Sequence, residues 1–250
     1  MSTATATRRT AVETHPSPEA AAVAAADAIE SDLRAGRLRT LGVATGSSPS
    51  PLYRELARRG LDFSGVSLFA LDEYLGLPHG HPQSYREVVA REVAGPLGIP
   101  LGAVHLPDGG DPAAYDRLIA AHGGIDRQIL GMGRNGHIGF NEPGSPVDSR
   151  TRIVDLAAST REANARFFET PDDVPVQSVT QGIGTILDAR RIVVLVSGRE
   201  KAAAVAAAVN GPRTASMPAS VLRDHADVTW YLDDDAAALL STRDVPEVAS

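Results

Sequence analysis

Cysteine is absent from the 250 residues. That excludes disulfides, zinc–thiolate centres, iron–sulfur clusters and a cysteine nucleophile. Aromatic residues are scarce, with five Tyr, five Phe and one Trp, too few for a row of base-stacking platforms. Positive charge is also in the minority: 24 Lys and Arg stand against 31 Asp and Glu, for a formal charge of −7. A nucleic-acid partner calls for a basic stripe, and none is visible. No run of ~18 apolar residues is present, so no membrane-spanning helix is expected. The opening MSTATATRRTAVETHPS has no apolar core of the kind a secretory signal needs. The chain reads as soluble and cytoplasmic.

What is present is an ordinary globular balance, 43% hydrophobic and 22% charged. A chain of this length buries a sizeable core without a staple. Apolar runs alternate with helix-like stretches throughout. Strands are expected over 8–13, 40–44, 66–71, 104–106, 127–130, 152–156, 191–196 and 228–232. Helices are expected between them, including 161–168 and 219–223, the first with Ser17 as N-cap, Pro18 in the first turn and Gly36 at its C-terminal cap. Short apolar strands alternating with helices imply an α/β, three-layer, Rossmann-like fold, its mostly parallel sheet covered by helices on both faces. In such sheets ligands bind beyond the carboxyl ends of the strands.

Four of those strand ends carry chemistry. Thr45-Gly46-Ser47-Ser48-Pro49 follows the second strand, and its small residues and hydroxyls suit an anion. It lacks the Gly-Lys-Ser/Thr ending of a Walker loop. Leu71-Asp72-Glu73-Tyr74 places two acids after the third strand, where partial burial lifts a carboxylate towards the range of a general base, or where one acid simply caps a turn. The richest stretch runs from Gly131 through Asn135 and His137 to Glu142. Its glycines fit G-x-G-x-x-G in form, yet His-Ile-Gly-Phe-Asn-Glu-Pro cannot open the helix a dinucleotide site requires. A histidine displayed on such a loop can exchange a proton near neutral pH, with Glu142 to orient it. The other histidines fall in polar turns or at helix ends and read as solvated, except His105, which reads as packed. The fourth end, Ser197-Gly198, leads to Lys201, the one lysine among 23 arginines. A compact point charge beside a Ser-Gly turn is placed to meet a phosphate. The acids and histidines show no clustered spacing for a metal.

In order and spacing, TGSSP, LDEYLGLP, HPQSY, GRNGHIGFNEPGS, SRTRIV, TREANARFF, TQGIGTILDA and SGREKA resemble the glucosamine-6-phosphate deaminases, strongly over residues 40–210. GHIGFNEP together with LDEYLGLP sets this group apart from the 6-phosphogluconolactonases of the same fold. The resemblance implies conversion of glucosamine 6-phosphate and water to fructose 6-phosphate and ammonia, with no metal or organic cofactor. It implies that His137, backed by Glu142 and Asn135, assists ring opening, and that Asp72 moves a proton from C2 to C1. Gly46, Ser47, Ser48, Arg166 and Lys201 would hold the phosphate. It further implies one domain over 8–250 after a flexible tail at 1–7, a lid near 156–179, a small-molecule amino-sugar phosphate partner, no nucleic-acid or membrane partner, and room for a homo-oligomer. Residue 135 is asparagine where some members carry aspartate; its amide oxygen can still orient His137 but supplies no negative charge to the imidazolium. Other isomerases or lactonases acting on sugar phosphates stand as alternatives, as does a non-catalytic sugar-phosphate sensor. The sensor would want an N-terminal DNA-binding module, for which the early start of the first strand leaves no room.

Overall fold

The computed structural model describes residues 9–240. The tail expected at 1–7, and Arg8 of the first expected strand, lie outside the described residues. Seven strands form one parallel sheet: β1 (Arg9–His15), β2 (Thr40–Val43), β3 (Ser67–Ala70), β5 (Val104–His105), β6 (Arg127–Leu130), β9 (Ile192–Val196) and β10 (Asp227–Asp233). Their spatial order is β1-β10-β9-β6-β2-β3-β5. The chain builds outwards from β2 to β5, returns to the other side of β2 at β6, and then builds outwards again. The order therefore reverses between β2 and β6, which is where an open α/β sheet leaves its crevice.

Successive strand side chains point to opposite faces, and this sheet buries both. Leu41, Val43, Leu68, Ala70, Ile129, Val193, Leu195 and Tyr231 share one core with α1 (Pro18–Arg34), α2 (Ser50–Arg58), α3 (Tyr85–Val89) and α4 (Gly95–Leu97). Their neighbours Phe69, Leu130, Ile192, Val194, Val196, Trp230 and Leu232 share the second core with α5 (Pro112–Ala121), α7 (Ile183–Leu187), α8 (Ala202–Val209) and α9 (Asp234–Ala237). Three layers result, as the alternation of the sequence implies. Ser17 caps α1, its hydroxyl accepting from Ala20 N at 3.1 Å. The C-cap is Ala35 rather than Gly36, which follows one residue later with φ +65°.

The structure departs from the sequence reading in three places. The strand expected at 152–156 is not in the main sheet. As β7 (Arg152–Asp155) it joins β4 (Asp72–Tyr74) and β8 (Gln177–Thr180) in a small antiparallel sheet of order β4-β8-β7. Its residues alternate half-buried and exposed, the mark of a one-faced strand that a doubly covered sheet would not tolerate. The helix expected at 161–168 begins earlier, as α6 (Ala158–Asn164), and tightens into a 3₁₀ turn at Ala165–Phe167. The helix expected at 219–223 is a 3₁₀ stretch, Pro218–Asp224. No helix among the described residues is long and apolar enough to cross a membrane.

Candidate active site

β9, β6, β2 and β3 are adjacent in the sheet, so the four loops marked in the sequence leave it side by side. They open into a cavity of about 770 Å³ lined by Gly46, Ser47, Ser48, Asp72, Asn135, His137, Arg166 and Lys201, among others. Of the residues expected to form a site, only Glu142 is not on its wall. It stands behind His137.

The loop after β2 turns at Gly46, whose φ of +106° is closed to residues with a Cβ. Nothing lies within 4 Å of a Cβ built there, so the turn demands glycine and protein crowding does not. Ser50 fastens it, its hydroxyl donating to Gly46 O at 2.7 Å. No side chain caps the start of α2, which leaves its positive end open beside Ser47 and Ser48.

The two adjacent acids divide the roles the sequence left open. Glu73 is the capping residue: its carboxylate accepts from Tyr85 N at 2.8 Å and from Arg86 N at 2.9 Å, at the start of α3. Asp72 faces the cavity from the first position of β4, only 6% exposed. Among the described residues no donor hydrogen-bonds its carboxylate. Burial, with the charge of Glu73 adding to it, pushes its pKa up to about 8.

The glycine-rich loop after β6 runs without a helix to β7, as its sequence requires. The His137 ring lies so close to the backbone that a Cβ at Gly133 would come within 2.3 Å of it. Asn135 ties the loop together. Its Oδ1 accepts from His137 N at 3.2 Å, and its Nδ2 donates to Glu142 Oε2 at 2.6 Å. Glu142 Oε1 lies 3.4 Å from His137 Nδ1, which is buried and without a full hydrogen bond. Burial works against ionisation of Glu142, but His137, Thr160 and Asn135 outweigh it and hold the carboxyl down at about 2.

Lys201 follows the turn after β9 and donates from Nζ to Met132 O at 2.7 Å. Burial depresses its pKa; Glu200 counters this, while Arg134 and Arg166 reinforce it. Lys201, Arg134 and Arg166 thus share one cationic corner. Arg166 stacks on Phe167, its Cζ 4.7 Å from the ring centre.

Sequence reasoning missed several members of the site. Arg134 lies inside the richest motif but was one arginine among many. Tyr74, Tyr85, Thr160 and Asn164 also line the cavity. Only their neighbourhood to the named motifs signalled them. One histidine was misread: His225 is buried, not solvated, with Nε2 2.6 Å from Ala189 O and Nδ1 3.0 Å from Asp227 O. Such a polar ring is tolerated in a core because Nε2 can donate to the Ala189 carbonyl while Nδ1 accepts from Asp227 N at 3.1 Å. The packed reading of His105 agrees with its ring lying 4.7 Å from that of Phe69. Among the described residues no three His, Asp or Glu side chains gather as a metal site would require.

A sugar-phosphate enzyme of the three-layer α/β class is what the sheet and its crevice resemble, and the comparisons narrow it. The family model of glucosamine-6-phosphate isomerases/6-phosphogluconolactonase matches residues 16–230, and the chain belongs to that family. A glucosamine-6-phosphate deaminase of Arthrobacter sp. (strain FB24) is 54% identical over 230 residues, 88% of each chain. One from Rhodopirellula baltica is 46% identical over 242 residues, covering 93% of this chain and 96% of its own. The solved structure of a monomeric glucosamine-6-phosphate deaminase superposes with a TM-score of 0.88 at 37% identity, covering 92% of this chain and 99% of that one. A 6-phosphogluconolactonase from Trypanosoma cruzi, at 21% identity and TM-score 0.76 over 94% of this chain and 98% of its own, shares the fold.

Proposed function

We propose that the chain converts glucosamine 6-phosphate and water to fructose 6-phosphate and ammonia. One observation carries the reading. A single cavity holds a buried carboxylate free of donors, a histidine backed by a hydrogen-bonded carboxylate, and a corner of three cations. An aldose–ketose shift on an amino-sugar phosphate needs each of these. The curated deaminases at about half identity supply the substrate class.

In this reading Lys201 and Arg166, with Ser47, Ser48 and the turn at Gly46, hold the phosphate. Lys201 brings a partly desolvated charge that favours an anion over water. His137 gives a proton to the ring oxygen as the C1 hydroxyl loses one, and the open-chain aldehyde forms. Glu142, held in place by Asn135, orients the imidazole and stabilises its cationic form. Asp72, ionised, removes the C2 proton while O1 takes up a proton released by the substrate's ammonium, giving an enolamine, and Asp72 then returns its proton to C1. The product is a protonated imine at C2. Water adds there and ammonia leaves. A pKa near 8 keeps Asp72 a competent base close to working pH, which a solvated aspartate would not be. The described part of the expected domain, residues 9–240, acts as one unit, with the segment at 156–179 as a lid whose last residues, from Gln177, are anchored in β8. A phosphorylated sugar as substrate fits a cytoplasmic enzyme.

The test is ammonia release from glucosamine 6-phosphate and its galacto epimer, beside acid release on hydrolysis of 6-phosphogluconolactone as a control on the lactonase branch. Turnover of the first is expected to exceed that of the others by an order of magnitude or more. Hydrolysis of the lactone without ammonia release from either amino sugar would overturn the reading.

A further inference from the structure

Glu142 is held from two directions. Asn135 belongs to the same loop and travels with it, donating to Oε2 at 2.6 Å. The second donor comes from elsewhere in the chain. Thr160, buried in α6, gives its hydroxyl proton to Oε1 at 2.5 Å, the oxygen that faces His137 Nδ1 at 3.4 Å. A carboxylate fixed at one oxygen can swing about that contact; fixed at both, it presents a defined edge to the imidazole. Four residues on, and so on the same face of α6, Asn164 donates from Nδ2 to the hydroxyl of Tyr74, the residue two places after Asp72. Arg166 follows in the 3₁₀ turn and lines the cavity beside Lys201. One short segment therefore carries a cation for the phosphate and a donor for the carboxylate behind the histidine.

We propose that Thr160 is a positioning residue that couples seating of the 156–179 segment to alignment of the His137–Glu142 pair. The coupling rests on the deaminase reading above. A bound phosphate draws Arg166 inwards, α6 settles with it, and the Thr160 hydroxyl locks Glu142 Oε1 towards Nδ1. With the segment lifted, Glu142 keeps Asn135 alone, and ring opening slows until closure has occurred. A reactive open-chain aldehyde is then formed only in a covered site.

The test is steady-state ammonia release with Thr160→Val, which keeps the shape and removes the hydroxyl, and Thr160→Ser, which keeps the hydroxyl. Thr160→Val is expected to lower kcat about tenfold, as loss of one hydrogen bond to a charged group does, and to change KM less than twofold. Thr160→Ser should recover most of the loss. The decisive measurement places Thr160→Val in the Glu142→Gln background. If Thr160 acts through Glu142, the second substitution costs little further kcat there; a residue that merely packs the segment would cost the same tenfold in both backgrounds. If the valine variant does not fold, Thr160→Ala takes its place in the same cycle. Equal losses in the two backgrounds, or a serine variant no better than valine, overturn the coupling alone. A wild-type chain that releases no ammonia overturns the deaminase reading and the coupling with it.

Discussion

Asp72 and Glu142 are both carboxylates withdrawn from water in one site, yet they are driven to opposite extremes. Asp72 is pushed up to about 8 and Glu142 is held down at about 2. Burial raises both, so it alone cannot send them to opposite sides of the ordinary carboxylate range. The difference lies in what meets the oxygens. Among the described residues no donor reaches Asp72, and its neighbour Glu73 is a second anion. Glu142 takes one donor on each oxygen, from Thr160 and Asn135, and faces His137. Groups with such opposed environments divide acid and base work between them. In the proposed reaction the first serves as a base that ionises near neutrality, and the second as an anion that steadies a histidine.

The largest effect should come from removing the base. Asp72→Asn is expected to lower kcat by ~10²–10⁴-fold, the usual cost of losing a general base, while an inert sugar phosphate still binds. A variant with more than half the wild-type kcat would end the assignment. The same substitution should stabilise the fold. An acid whose folded pKa is raised makes the native state bind the extra proton, so native stability falls as pH rises from about 4, the unfolded value, to about 8. The asparagine variant escapes that penalty, because it has no charge to bury. Its melting temperature should exceed the wild type's by a margin that widens across that window and is constant above it. A margin that shrinks with pH would show that Asp72 is not strained by burial.

Much of this site could be read without coordinates, because its chemistry sits where apolar runs stop. Asp72, His137 and Lys201 each follow a short hydrophobic strand of the parallel sheet, and the alternation of elements places strand ends together. What could not be read depends on pairing across long separations. Asp-Glu-Tyr has little strand propensity, yet it pairs with Ser178–Thr180, more than a hundred residues away. That pairing turns the Asp72 side chain towards the cavity and sends Glu73 to the start of α3. The partners of Glu142 divide in the same way. Asn135 is seven residues away in the same motif, whereas Thr160 arrives from a helix whose position no local pattern specifies. Arg134 was hidden by abundance, since one arginine among 23 carries no signal until Lys201 is seen nearby.

Removing the second carboxylate should be milder and should carry the opposite pH signature. Glu142→Gln keeps the size and loses the charge that supports the imidazolium. Loss of a partner behind a reacting group costs ~10–100-fold, and that is the expected fall in kcat. The depressed pKa gives Glu142 a stabilising contribution that is complete above its unfolded value near 4.5 and is lost as pH falls towards about 2. Wild type and Glu142→Gln should therefore differ in melting temperature at neutral pH and converge in acid. Asp72→Asn and wild type also converge in acid, below about 4 once Asp72 is protonated in both states, but there a penalty disappears rather than a stabilisation. If the Glu142→Gln difference persisted unchanged to pH 2, the carboxylate would not be held by its donors as the geometry shows.

The smallest effect tests how much of the contrast rests on Asn135. Its Nδ2 donates to Glu142 Oε2 at 2.6 Å, and Asn135→Asp turns that donor into an oxygen in contact with another carboxylate. Two carboxylates so close cannot both ionise freely; they hold a proton between them and titrate as a pair, the upper step displaced above the ordinary range. Glu142 would move part of the way towards Asp72, for a different physical reason: a like charge rather than missing solvent. At pH values below that upper step the pair carries one negative charge, as Glu142 does alone in the wild type, so the support for His137 is largely kept. The expected result is a modest fall in kcat, a few-fold at most, with the pH profile of kcat/KM departing from the wild type's only above the upper step, where the pair gains a second charge. Thr160 still donates to Oε1, so the edge facing His137 Nδ1 is retained. A profile identical to the wild type's across the whole pH range would mean that residue 135 and Glu142 are electrostatically independent. The low pKa of Glu142 would then have to come from His137 and Thr160 alone.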